Sequence, residues 1–259
     1  MDIKDKVIVV TGGSNGIGRA LCERFHAEGA KGICAADLDE LAGAQVAKSV
    51  NGIFVRCDVR KQSEIEAVVE QTVKRWGPID LFCSNAGIFI EGEGLYGMGA
   101  TPAQWQKIWE VNVMAHVHAA NAVLPSMLER GSGYLLQTSS AAGLLSQIGS
   151  ASYSTTKHAA IGFAESIAIA YGDAGIKVSV LCPQGVRTNM TAGQGDTPQA
   201  GDGMLEPAQV AESVMQALTE ERFLILPHPE VLTYMQRKTS DYQRWINGMQ
   251  RFRRSFVGS

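Results

Sequence analysis

The stretch Val7-Ile8-Val9-Val10-Thr11-Gly12-Gly13-Ser14-Asn15-Gly16-Ile17-Gly18 decides the fold. Four apolar β-branched residues read as a buried strand, and the segment running on to Glu28 reads as a helix. Between them a glycine-rich turn lets the backbone approach a pyrophosphate, while the free N–H groups and dipole at the helix start favour the anion. A glycine cluster alone is weak evidence. The strand before it and the helix after it give it meaning.

Working outward, the next apolar run, Ile33 to Ala36, ends at Asp37, 19 residues beyond Gly18. An acidic side chain there accepts hydrogen bonds from the adenosine ribose hydroxyls and repels the extra phosphate of NADP. No Lys or Arg adjoins it, since Leu38 and Asp39 follow, and Asn15 in the turn is neutral. The cofactor expected is therefore NAD rather than NADP. The competing reading makes Asp37 only a cap for the following helix.

Further short apolar runs recur at Ile53 to Val55, Ile79 to Cys83, Tyr134 to Leu136, Val178 to Leu181 and Phe223 to Leu226. Helical segments separate them, such as Ile65, Val68, Val69, Val73 and Trp76, preceded by a Ser63 and Glu66 capping box. Thr101 caps another helix, with Pro102 at its first position and Gln104 completing the box. Strict alternation of strand and helix implies an α/β, doubly wound parallel sheet of about seven strands, Rossmann-like, with helices on both faces. The expectation is a single catalytic domain over residues 1–259. Within it, Asn189 to Glu206, with Gly193, Gly195, Gly201 and Gly203, reads as a mobile substrate loop or lid.

A net charge of -3 argues against nucleic acid as a partner. Five cysteines, an odd number set mostly in or beside apolar runs, read as reduced core residues of a cytoplasmic protein. The charged start, Met1 to Lys6, lacks the apolar core of a signal peptide, and no apolar stretch approaches the roughly 20 residues that cross a bilayer. His116 and His118, two apart on a helix, face different ways and have no partner at ligand spacing, so no metal is expected.

From about Lys6 to Leu226 the chain resembles the short-chain dehydrogenases/reductases of the single-domain kind. The motifs that carry the likeness are the glycine turn, Asp58-Val59 after the third strand, Asn85-Ala86-Gly87 after the fourth, Asn112, Ser140, and Tyr153 with Lys157. Each alone is ordinary; their order and spacing together are specific. The resemblance implies a cofactor site made of Gly12, Ser14, Asn15, Gly16, Ile17, Gly18, Asp37, Asp58, Val59, Asn85, Ala86, Gly87, Tyr153, Lys157, Pro183, Val186 and Thr188. It implies catalysis by Asn112, Ser140, Tyr153 and Lys157. Ser140 would bind the substrate oxygen, with Ser139 as its competitor, and Asn112 would hold a water linking Lys157 to solvent.

The chemistry explains those residue types. Tyr153 and Lys157 are four apart and share one helix face. A free phenol has a pKa near 10, too high for a base at neutral pH, and a lysine ammonium with an oxidised nicotinamide would lower it. Tyr153 would then take the alcohol proton while hydride leaves the same carbon.

One departure stands out: where the family has Pro-Gly, this chain has Pro183-Gln184, and the side chain would narrow or polarise the pocket. The expected lining is apolar, from Phe89, Ile90, Leu95, Tyr96, Met98, Leu144, Leu145, Ile148, Met190 and Met204, with Arg187 the one obvious anion holder. An uncharged, apolar secondary alcohol or ketone is the expected small-molecule substrate. The rivals are an NADPH-dependent carbonyl reductase and a catalytically silent NAD-binding regulator.

The helix from Ala159 to Ala170, with its small Ala164 and Ala168, suits a subunit interface, and the resemblance implies a homo-oligomer, tetramer or dimer. The tail over residues 229–259 is a helical extension. Six basic residues from Arg237 to Arg254 are interleaved there with Tyr234, Tyr242, Trp245 and Phe252. A basic aromatic helix can lie on a membrane, but the expectation is that it packs on another subunit and closes that subunit's cleft.

Overall fold

A computed structural model describes residues 1–91, 100–192 and 202–257. Seven parallel strands run β1 (Val7–Thr11), β2 (Gly32–Asp37), β3 (Ile53–Arg56), β4 (Leu81–Ser84), β5 (Gly133–Thr138), β6 (Ile176–Leu181) and β7 (Leu224–Ile225). They lie in the order β3-β2-β1-β4-β5-β6-β7. The direction of winding reverses at β1, which pairs with β2 on one side and β4 on the other. Such a switch point leaves a crevice at the strands' carboxyl ends, where open α/β sheets bind ligands.

Nine α-helices accompany the sheet among the described residues: α1 (Gly16–Ala27), α2 (Glu40–Ser49), α3 (Gln62–Trp76), α4 (Pro102–Trp109), α5 (Ala115–Arg130), α6 (Ala151–Tyr171), α7 (Pro207–Glu220), α8 (Glu230–Ser240) and α9 (Tyr242–Val257). The alternation of side chains along a strand builds two cores. Val7, Val9 and Phe82 pack with residues of α3, α5 and α6, whereas Ile8, Val10, Leu81 and Cys83 pack with α1 and α7. Because both faces are covered, the strands read as unbroken apolar runs.

The predicted box at Thr101 is present, with Gln104 N–H donating to Thr101 Oγ1 at 3.2 Å and Thr101 N–H to Gln104 Oε1 at 2.7 Å. The box expected at Ser63 and Glu66 is not. α3 starts two residues earlier, behind Lys61, because the preceding turn closes through Lys61 N–H to Asp58 O at 2.9 Å. Glu64 then reaches back to the Asp58 N–H at 2.7 Å, and Glu66 accepts from Gln62 instead.

Ala164 is wholly buried in the chain's own core, so it is a packing residue of the subunit rather than of an interface. The five cysteines are free and buried, and burial pushes the Cys34 thiol up to about 11. Among the described residues no helix is long and apolar enough to cross a membrane. Of the expected substrate loop, Gly193, Gly195 and Gly201 lie outside the described residues.

Candidate functional site

A cleft of about 1170 Å³ opens at the carboxyl ends of the strands and reaches from Asp37 to Phe252. At one end, the glycine turn bends back on itself. Gly12 and Gly16 take positive φ, 63° and 53°, and a Cβ on Gly16 would stand 2.9 Å from the Thr188 Cγ2. Gly18 is inside the helix, where a Cβ would fall 2.0 Å from Gly12 O, so it serves close packing and does not line the cleft. Asn15 caps α1 without a side-chain hydrogen bond, its Nδ2 turning to Ser14 Oγ at 3.1 Å. The helix start therefore keeps its positive end free of side-chain acceptors, and no acid sits in its first turn.

Asp37 accepts from Ser14 N–H at 3.1 Å, while Asp39, not Asp37, caps α2 by accepting from Ala42 N–H at 3.0 Å. The competing reading of Asp37 as a helix cap is thereby excluded. Asp58 and Val59 also line the cleft. The Asp58 carboxylate is clamped by Arg60, at 2.9 Å through Nε and 2.6 Å through Nη2, and that guanidinium holds its pKa below the ordinary value.

Asn85 fastens three strand ends together. Its N–H donates to Thr11 Oγ1 at 3.0 Å, its Nδ2 to Thr11 O at 3.1 Å, and its Oδ1 accepts from Thr138 Oγ1 at 3.1 Å. Thr138 was missed in the sequence, although a polar residue ending an apolar strand just before Ser139-Ser140 was a signal. Its carbonyl also receives the Lys157 ammonium at 3.1 Å.

The catalytic candidates converge around Gly87, where a Cβ would lie 3.4 Å from both Lys157 Nζ and Asn112 Oδ1. Ser150, buried at the start of α6, accepts from Tyr153 N–H at 3.4 Å and donates to Ile90 O at 2.6 Å. This cap fixes Tyr153 in the first helical turn and Lys157 one turn on, the ammonium 5.5 Å from the centre of the phenol ring. Phe89 meets that ring edge-on, centroids 5.1 Å apart.

Ser139 and Ser140 separate cleanly. Ser139 Oγ donates to Lys157 O at 2.9 Å, which fixes it to the helix. Ser140 lines the cleft near Pro183 O and near enough to Tyr153 to hydrogen-bond its phenol.

Asn112 sits in a π-helical turn, Glu110–Met114, between α4 and α5, and is fully buried outside the cleft wall. Its Oδ1 accepts from Ile88 N–H and its Nδ2 donates to Ile88 O, both at 2.9 Å. Nδ2 also reaches Thr156 Oγ1 at 3.3 Å, so the side chain ties the π-helical turn to the segment after β4 and to α6.

Burial sets the electrostatics of this pair in the chain alone. Burial lowers Lys157 to about 8, and raises Tyr153 above the ordinary phenol value, with the Ser140 hydrogen bond opposing. In the chain by itself, desolvation outweighs any help from Lys157. His116, unassigned by sequence, is buried with Nδ1 2.8 Å from Ser84 Oγ. Burial, then the neighbouring Lys157 charge, lowers it to about 3.

Pro183, Val186 and Thr188 line the far wall, with Phe89, Leu145, Met190 and Met204. Ile90, Leu144 and Ile148 do not line it, and Leu95, Tyr96 and Met98 lie outside the described residues. Arg187 pairs with Glu206 at 3.0 Å on the surface, away from the cleft.

The tail brings the largest revision. Tyr234, Arg237, Trp245, Met249 and Phe252 line the cleft of their own chain. Two things return it there. Lys238, buried, donates to Leu144 O at 2.7 Å, Leu145 O at 3.0 Å and His158 Nε2 at 3.3 Å. Asp241, extended between the helices, then reverses the chain and accepts from Arg244 N–H at 2.9 Å.

Known proteins resemble this chain over most of its length. A family profile described as short chain dehydrogenase matches residues 6–199. The 1-deoxy-11-beta-hydroxypentalenate dehydrogenase of Streptomyces exfoliatus is 31% identical over 255 residues, 95% of this chain and 92% of that one. The 2-(R)-hydroxypropyl-CoM dehydrogenase of Xanthobacter autotrophicus is 33% identical over 81% of this chain and 90% of its own. Among solved structures, a short chain dehydrogenase/reductase from Burkholderia phymatum in complex with NAD superposes with a TM-score of 0.85. It is 27% identical and covers 94% of this chain and 96% of that one.

Proposed function

The chain belongs to the short-chain dehydrogenase/reductase family, a family of nicotinamide-dependent oxidoreductases acting on hydroxyl groups, and from that premise we propose that it interconverts an apolar secondary alcohol and its ketone with NAD(H). The observation that carries the reading is the meeting of Ser140, Tyr153 and Lys157 at the middle of the cleft.

The residues fit a dinucleotide. The glycine turn leaves no room for a Cβ at Gly12, Gly16 or Gly18, and the uncapped start of α1 offers backbone donors to a pyrophosphate. Asp37 holds the ribose end, with Asp58 and Val59 beside it. Asn85, Ala86 and Gly87 support the middle, while Pro183, Val186 and Thr188 form the wall at the nicotinamide end. When bound, the nicotinamide supplies or accepts the hydride.

The protein's part is proton handling and orientation. Ser140 donates to the substrate oxygen and Tyr153 exchanges the proton at its phenol oxygen. Its raised pKa suits the donor role in ketone reduction; in alcohol oxidation, nearby positive charge must offset the desolvation. Lys157 supplies part of that charge, held toward the strand ends by Thr138 O. Asn112 acts by fixing Ile88 beside Gly87 and the ammonium.

Asp37 favours NAD over NADP and so weighs against the NADPH-dependent carbonyl reductase. The intact Ser140, Tyr153 and Lys157 weigh against a silent NAD-binding regulator. A cytoplasmic homo-oligomer, dimer or tetramer, completes the proposal. A screen of secondary alcohols with NAD, followed by absorbance of the reduced cofactor, tests it. Turnover is the expected result, and NAD binding without turnover of any alcohol or ketone would favour the regulator.

A further inference from the structure

The turn that follows β6 is held at successive backbone groups. Pro183 O accepts from Ala141 N–H at 2.9 Å and lies 3.4 Å from Ser140 Oγ. Gln184 N–H donates to His228 Nδ1 at 3.2 Å, and Gly185 O accepts from Leu205 N–H at 3.0 Å. His228 is itself buried at the approach to α8, its Nε2 3.3 Å from Gly203 O, so the ring is neutral with its proton on Nε2. The backbone of this turn is thus anchored to the segment carrying Ser140, to the loop before α7, and to the approach to α8.

The Gln184 side chain is the opposite case. Its carboxamide can donate two hydrogen bonds and accept two, yet it makes none with the described residues, and its Oε1 is buried. It lines the same cleft as Ser140 and Tyr153, and stands one residue beyond the carbonyl nearest the Ser140 hydroxyl. A buried polar group without a partner is costly, so a rigidly mounted one on a ligand cleft marks where a ligand's polar group belongs.

Resting on the hydride-transfer reading above, we infer that Gln184 is a specificity residue that hydrogen-bonds a second oxygen function of the substrate, a hydroxyl or carbonyl adjoining the carbon that exchanges hydride. A carboxamide suits this role because rotation of its end group serves a hydroxyl or a carbonyl equally. The substrate is then an apolar skeleton bearing two neighbouring oxygens, a vicinal diol or hydroxyketone, rather than an isolated alcohol.

The test compares cyclohexanol with its vicinal diol, and cyclohexanone with its 2-hydroxy derivative, in the whole protein and in Gln184→Leu. The parent protein is expected to prefer the dioxygenated member of each pair. In the leucine variant that preference, as a ratio of kcat/KM values, should fall at least about tenfold, while NADH affinity, read by fluorescence, holds. Gln184→Gly gives the same comparison should leucine disturb folding. No preference in the parent, an unchanged ratio in the variants, or a loss shared equally by both substrates and by NADH affinity would each overturn the assignment. The last result would give Gln184 to the cofactor. Failure of the underlying reading looks different: the parent would turn over neither member of either pair.

Discussion

The backbone N–H of Ser14 donates to Oδ2 of Asp37 at 3.1 Å, tying the glycine turn after β1 to the end of β2. The other carboxylate oxygen receives Leu38 N–H at 2.7 Å and Asp39 N–H at 3.2 Å, so the negative charge is fixed in place. Asp37→Ala is expected to reduce the preference for NAD over NADP by roughly tenfold to a hundredfold, the scale of a hydrogen bond to a charged group. Steady-state kinetics with both cofactors measure it. An unchanged preference would remove Asp37 from the cofactor site.

Tyr153→Phe keeps the ring that packs edge-on against Phe89 and deletes only the phenol oxygen. Turnover should fall by roughly 10²–10⁴, the usual weight of a positioned acid or base, with NADH binding retained. Stopped-flow kinetics beside a fluorescence titration separate the two. A variant that turns over normally would exclude Tyr153 as the proton carrier.

Lys157 gives a signed dependence on pH. Its folded value lies near 8, below the ordinary 10.5, so between those limits the unfolded chain binds more protons and stability rises with pH. The stability is present above 10.5 and is lost as pH falls through 8, in total about 3 kcal/mol at 1.36 kcal/mol per unit. Lys157→Met, which cannot titrate, should therefore gain most over the parent at pH 7 and lose that advantage as pH approaches 10.5. Urea unfolding of both proteins across the range measures the difference, and a constant gap would contradict a depressed lysine.

Lys238→Met removes the donors that hold α8 to Leu144 O and Leu145 O and leaves those carbonyls unpaired. A loss of about 2–3 kcal/mol in stability is expected. A raised KM should accompany it, because Trp245, Met249 and Phe252 follow α8 over the cleft. Unchanged KM and unchanged urea midpoint together would show that the two helices are held by other contacts.

The layout of the sheet was legible because it is written in local patterns. Apolar runs at Val7, Ile33, Tyr134 and Val178 are short, rich in β-branched or aliphatic residues and separated by helical segments, which is how strands buried on both faces read, and the pairing of Thr101, Pro102 and Gln104 marks a helix start without help from the rest of the chain. Helix geometry likewise sufficed to put Tyr153 and Lys157 on one face. Where an element's start depended on a neighbouring turn, as α3 depends on Asp58, local pattern chose the wrong cap.

Sequence alone determined the strand–helix alternation, the glycine turn and the spacing of the reactive side chains, all of which follow from backbone periodicity and residue type. Only tertiary structure decided how hard Tyr153 and Lys157 are desolvated, that Asn112 is occupied by Ile88, and that α8 and α9 cover their own cleft. Each of these is set by contact between residues distant along the chain. Burial and long-range hydrogen bonds are properties of the packed molecule, and no short stretch of sequence contains them.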